Sequence, residues 1–136
     1  MTTNYQINQV ADREFGRVNN PPTTYYIALL TATPNPDGTG IVEVSTVGTG
    51  YARQALPNNK TSLSNSSNGL VTNLAQLNFP TVLASYGFVT DVAIFDSPNA
   101  GNLLYVTTQT VAKPFDVGDI AFFGIGDISW TVQNIL

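Results

Sequence analysis

Residues 24–31 read TYYIALLT, and this stretch decides the fold class. It has the length of a strand and is rich in aromatic and branched residues. Its apolar side chains occupy both odd and even positions. Alternate side chains of a strand point to opposite faces, so a strand apolar on both parities must be covered on both faces. Residues 24–31 are therefore expected inside a sheet. The same two-sided pattern returns at residues 88–95, FVTDVAIF, which are also expected to be central.

Turn signals frame these runs. Pro34-Asn35-Pro36-Asp37-Gly38 is a dense turn cluster, and residues 97–102 (SPNAGN) form another. Short strands are expected at 41–47 and 51–56, with a long polar loop over 57–69. Residues 70–79 are a further strand candidate, with Ala75, Leu77 and Phe79 on one parity. Residues 103–110 should return antiparallel to 88–95. A second turn region follows at 114–119, then a short apolar run at 120–125. Ile128, Trp130 and Val132 alternate with polar residues, the pattern of a half-buried strand. Short strands at this spacing predict a mainly β fold, an antiparallel β sandwich or barrel-like domain with one short N-terminal helix. The predicted core includes Ile27, Leu29, Val92, Ile94, Leu104, Phe122 and Trp130.

The helix is expected over residues 4–15. Ile7, Val10, Ala11, Glu14 and Phe15 fall near one face, Gln6, Gln9, Asp12 and Arg13 elsewhere, and Gly16 is the expected stop. Asn19-Asn20-Pro21-Pro22 then makes a stiff connector. The chain thus divides into a helical arm and linker, 1–22, and a single β domain, 23–136. The arm either caps one end of the β domain or docks on a neighbouring subunit.

Composition narrows the function. Histidine and cysteine are absent, which removes the usual neutral-pH acid/base group, thiol chemistry and thiolate metal sites. Serine has no histidine to activate it, and Gly48-Thr49-Gly50 lacks the rest of a nucleotide-binding loop. Asp91 and Asp96 have an odd separation that points them to opposite faces. Asp116, Asp119 and Asp127 read as turn residues rather than calcium ligands. No catalytic residue, cofactor or metal is expected. Charged residues are only 10% of the chain and the net charge is −4. Phosphate binding needs clustered cations, so nucleic acid is not an expected partner. No apolar run approaches a membrane span, and residues 1–5 do not read as a signal peptide. The tyrosines and Trp130 suggest sugar stacking, although core packing accounts for most of them.

Three stretches together resemble a known family. The first is residues 23–56, with Tyr26-Ile27-Ala28-Leu29-Leu30-Thr31-Ala32 and Gly50-Tyr51-Ala52-Arg53-Gln54. The second is Leu77-Asn78-Phe79-Pro80-Thr81 with residues 86–96, YGFVTDVAIFD. The third is Gly101-Asn102-Leu103-Leu104-Tyr105, followed by Val117-Gly118-Asp119. In this order they resemble small tailed-bacteriophage virion proteins labelled phage tail fibre proteins. Ser45 to Gly50 departs from the family's glycine cluster, and Tyr86 stands where many members have Trp. The resemblance implies a non-enzymatic virion structural protein. The compact domain and low charge favour a capsid cement protein reinforcing capsomer contacts. The alternative is a tail fibre or tail-tip protein that binds a host receptor, glycan included.

The expected partners are further copies of the chain, as a trimer, with the major capsid protein or tail proteins. Candidate contact residues are Ile7, Val10 and Phe15 of the arm, Tyr51 and Arg53 of the body, and Asn59 and Lys60 of the 57–69 loop. Arg53 is expected to pair with an acid such as Glu43 across adjacent strands, or with an acid of a neighbour.

Overall fold

The computed structural model describes residues 1–17 and 19–132. Its centre is a sheet in which β1 (Thr24–Ala32) pairs antiparallel with β6 (Gly87–Phe95), and β6 with β7 (Leu103–Phe115). The other edge of β1 is shared. The short β2 (Val42–Glu43) pairs with its end, Leu30 facing Glu43, and β3 (Gln54–Pro57) pairs with its start. Two further ladders, β4 (Leu70–Thr72) with β9 (Ser129–Thr131) and β5 (Leu77–Asn78) with β8 (Phe122–Phe123), complete a mainly β, sandwich-like domain.

The two-sided pattern of β1 separates into two clusters. Ile27 and Leu29 join Val92, Ile94, Leu104 and the aromatic group Tyr51, Phe79, Tyr86 and Trp130. Ala28 and Leu30 join Ala93, Phe95, Leu103 and Val106 on the opposite face. Each fully buried Leu or Ile of this kind contributes about 1.5–3 kcal/mol relative to exposure.

Several expectations are corrected. Phe122 is 54% exposed, whereas its neighbour Phe123 packs against the core. In β8 successive side chains alternate, and Phe123 faces Leu77. The expected strand over 70–79 is interrupted by Asn73, which is fully buried. It donates from Nδ2 to Ala75 O (2.8 Å) and Gly124 O (2.9 Å) and accepts from Ile128 N at Oδ1 (3.0 Å). One amide side chain thereby supplies three bonds that a continuous ladder would have made. The turn expected from residue 114 begins later, because β7 runs on to Phe115 with Pro114 opposite Phe88. β7 is irregular between Thr108 and Lys113, the partners of Asp91 and Val89, where its register against β6 shifts.

The helix α1 spans Asn4–Glu14. Thr3 caps it, accepting from Gln6 N, and Gly16 adopts φ +87 just past its end. Its roll differs from the expected one. Gln6 is the buried residue, while Ile7 and Val10 are half-buried and Phe15 is 80% exposed. The cause lies upstream. Thr2 bridges Tyr105, Thr3 N–H donates to Leu104 O (3.0 Å), and Val106 N–H donates to Met1 O (2.9 Å). This pairing along β7 aims Gln6 inward, where its amide nitrogen Nε2 donates to Tyr105 Oη at 2.9 Å.

Candidate functional site

Two places gather the polar residues singled out by the sequence. The first is a corner around Arg53, which lies just before β3, beside the gap between β2 and β3. Arg53 donates from Nε to Glu43 Oε2 (3.0 Å) and from Nη2 to Glu43 Oε1 (2.8 Å), a bidentate pair. Its Nη1 donates to Ser97 O (2.8 Å) and Ala100 O (2.7 Å). The guanidinium lies 3.7 Å over the Phe95 ring centroid. The expected pairing with Glu43 is thus present within the chain. Among the described residues, Ala100 is one of two non-glycines with positive φ, at +50, and Arg53 grips its carbonyl.

Tyr51 completes the corner. It donates to Glu43 Oε2 at 2.5 Å and accepts from Leu29 N–H at 3.1 Å. Burial, followed by the hydrogen bond to Glu43, pushes its hydroxyl far above the ordinary tyrosine value. Tyr51 is 4% exposed and the Arg53 side chain 8%, so both are committed to their own chain.

The second place is a groove of about 470 Å³ beside the 57–69 loop. Trp130 and Tyr105 form its buried floor, and Tyr25 is a half-buried wall. Asn58, Asn59 and Lys60 also line it, with Asn58 Nδ2 lying 3.5 Å from Tyr25 Oη. The loop is held in place by its own polar groups. Asn59 Oδ1 accepts from Thr61 N (3.1 Å), Thr61 Oγ1 (2.8 Å) and Ser62 N (3.0 Å), and Asn58 Nδ2 donates to Pro22 O (2.8 Å). An Asn68–Gly69 turn, with φ +51 and +79, closes the hairpin into β4. Lys60 is exposed, and among the described residues it forms no ion pair.

Burial pushes the Tyr25 hydroxyl up; nearby Tyr105 adds to this and Arg13 opposes it. Burial likewise raises Tyr105, against the Gln6 hydrogen bond and Arg13. Both phenols therefore remain protonated, neutral donors near neutrality. Aromatic rings with amides and one ammonium offer apolar stacking together with hydrogen bonds, a combination suited to a polyhydroxylated ligand.

Of the candidate contact residues, Asn59 and Lys60 meet at this groove. Ile7 and Val10 lie on α1 and Phe15 is its C-cap, all three outside the groove. Tyr25, Asn58, Tyr105 and Trp130 come from four separate segments, and no local motif announces their meeting.

Asp119 accepts from Asp116 N and Asp127 from Gly124 N, each at 2.8 Å within its own turn. Among the described residues, no three acids converge as a metal site would require. No described helix is long and apolar enough to cross a membrane.

No curated protein matches the chain. Residues 1–131 match the family model described as Podophage GP4 fiber I protein gp80. The match spans both the N-terminal segment and the β domain, so the chain belongs to the Gp80 family of phage fibre-type virion structural proteins.

Proposed function

We propose that this protein is a non-catalytic component of a phage tail fibre, and that its 57–66 groove binds saccharide on the host surface. The family description supports this reading: it names a fibre protein, which favours the tail over the head-reinforcing role that composition suggested. The groove supports the ligand class. Its floor is Trp130 and Tyr105, its wall is Tyr25, and its polar side holds Asn58, Asn59 and Lys60. Sugar rings present apolar C–H faces to such aromatics and hydroxyls to such amides.

The placement is tested by immunogold labelling of intact virions. Label at the tail is the expected result, and label spread over the head overturns it. The ligand class is tested by titrating purified protein with oligosaccharides released from the host envelope. Binding that is lost in Tyr25→Ala supports the groove. Binding indifferent to that change, or no binding at millimolar sugar, rejects it.

A further inference from the structure

We infer that a cavity built around Arg13, between α1 and the connector that follows it, binds the carboxylate of an acidic sugar. The cavity has a volume of about 250 Å³. Arg13, Gln9 and Tyr5 line it from the helix, Asn20 from the connector, and Asp96 from just past β6. Ligand pockets of ~300–1,000 Å³ hold drug-sized molecules, so this smaller cavity takes one sugar ring rather than a chain.

An unmet donor marks the site. Arg13 is half-buried, and its Nε is a buried atom with no hydrogen-bond partner among the described residues. Arg13 forms no ion pair among them either. Asp96, on the same cavity, is already engaged. Its Oδ1 accepts from Asn102 N (2.7 Å) and its Oδ2 from Asn102 Nδ2 (2.9 Å). A buried charged donor without an acceptor is costly, and such groups are normally satisfied. Arg53 shows the satisfied case, with its Nε on Glu43 Oε2 at 3.0 Å and its Nη2 on Oε1 at 2.8 Å. An incoming carboxylate would give Arg13 the same fork.

Charge selects a carboxylate over a phosphate. Asp96 stands at the cavity, and Arg13 lies in the last turn of α1, at the negative end of the helix dipole. One cation against these two negative influences leaves no surplus for a dianion. A planar monoanion instead matches the guanidinium edge in two parallel bonds.

Two observations make a sugar its carrier. Asn19 Oδ1 is a second buried atom without a partner among the described residues, and Asn19 Nδ2 donates to Gln9 O at 3.3 Å. A donor and an acceptor both left over on adjoining segments suit a ligand that carries hydroxyls as well as a carboxylate. The cavity also backs onto the saccharide groove. Gln6 lines the cavity and donates to Tyr105 Oη of the groove floor. Pro22 lines it too, and its carbonyl accepts from Asn58 Nδ2 of the groove. The carboxylate part of the inference stands on Arg13; its sugar part rests on the saccharide reading above.

Sodium glucuronate tests it, added to the isotope-labelled full chain against sodium chloride at equal ionic strength. A monosaccharide acid binds a small site with a Kd of about 1 mM, so ~10 mM occupies most of it. The Arg13 Nε–Hε resonance should shift, while that of Arg53, already bonded to Glu43, stays in place. Arg13→Gln should weaken glucuronate binding by about tenfold or more, the loss of a charge-assisted pair. The same variant should leave neutral saccharide binding at the groove unchanged, and Tyr25→Ala should do the reverse. Glucuronate binding that persists where neutral saccharide binding is absent supports the Arg13 site and rejects the groove. An unmoved Arg13 resonance overturns the inference and needs no variant. Equal glucuronate affinity in Arg13→Gln also overturns it. Glucose that shifts Arg13 as glucuronate does removes the carboxylate, and inorganic phosphate that binds as tightly overturns it in favour of a phosphate site.

Discussion

The Arg53 corner and the Lys60 groove are built from similar materials, a cation beside amide or carbonyl oxygens and aromatic rings. Their states are opposite. At the corner, Arg53 makes four hydrogen bonds and stacks on Phe95, and its side chain is 8% exposed. At the groove, Lys60 is exposed and has no ion-pair partner among the described residues. A cation enclosed by its own chain is structural, because desolvation makes every missing partner costly. A cation left in solvent beside a concave aromatic surface is available to something else.

The comparison breaks first if the corner proves dispensable. Arg53→Ala leaves Glu43 half-buried beside Tyr51 without its bidentate partner and frees the Ser97 and Ala100 carbonyls. The expected loss is about 3 kcal/mol in chemical denaturation, the usual cost of removing one member of a buried pair. Arg53→Lys should recover only part of it, since an ammonium cannot reproduce the planar fork or the stacking. A loss under ~1 kcal/mol for Arg53→Ala would make the corner an ordinary surface pair.

Alkaline titration sharpens the same contrast. Tyr51, Tyr25 and Tyr105 all have hydroxyls raised by burial, Tyr51 most strongly. In the unfolded chain these groups ionise near pH 10. The fold retains their protons longer, so its stability is fully present below that pH and is lost as pH rises above it. Each tyrosine should contribute a slope of about −1.4 kcal/mol per pH unit in that window. Tyr51→Phe should flatten the slope above pH 10 and lower stability at pH 7 by about 1 kcal/mol, through loss of the Glu43 and Leu29 bonds. An unchanged alkaline slope in that variant would mean that Tyr51 is not desolvated as the geometry requires.

Legibility in the sequence follows the same division. The two-faced apolar run of β1 and the pairing of Arg53 with Glu43 were readable, because side-chain parity and scarcity of charge are local facts. The roll of α1 was not. Its apolar positions suggested a buried face through Ile7 and Phe15, but strand-like pairing of Thr2 and Thr3 with β7 turned Gln6 inward instead. Phe122 and Phe123 are adjacent apolar residues, and only the partner Leu77 reveals which one points in. The groove was least visible, since Tyr25, Asn58, Tyr105 and Trp130 converge only once β4 has paired with β9 and the 57–69 loop has folded back.

A smaller effect probes the groove wall. Tyr25 is half-buried and packs against the main core cluster, so Tyr25→Ala should cost about 1–2 kcal/mol, less than a fully buried aromatic. Saccharide binding should fall by far more than this loss of folded protein explains. If binding survives in the folded fraction, the ring belongs to the core alone, and the groove has no stacking wall.

Lys60→Ala should have the smallest effect on the fold and decide what the groove recognises. Lys60 is exposed, and its loop is held by Asn59 Oδ1 and Asn58 Nδ2 rather than by its ammonium. Stability should stay within ~0.5 kcal/mol of the parent, as for a surface substitution away from special features. A charged donor to a ligand is worth ~1.5 kcal/mol or more, so saccharide affinity should fall about tenfold. Raising salt separates two origins of that loss: an acidic sugar paired with Lys60 weakens with ionic strength, whereas a neutral sugar bonded through its hydroxyls does not. A Lys60→Ala variant that loses more than ~1 kcal/mol of stability would place this lysine with Arg53, as a group enclosed by its own chain, and the groove would no longer be the open member of the pair.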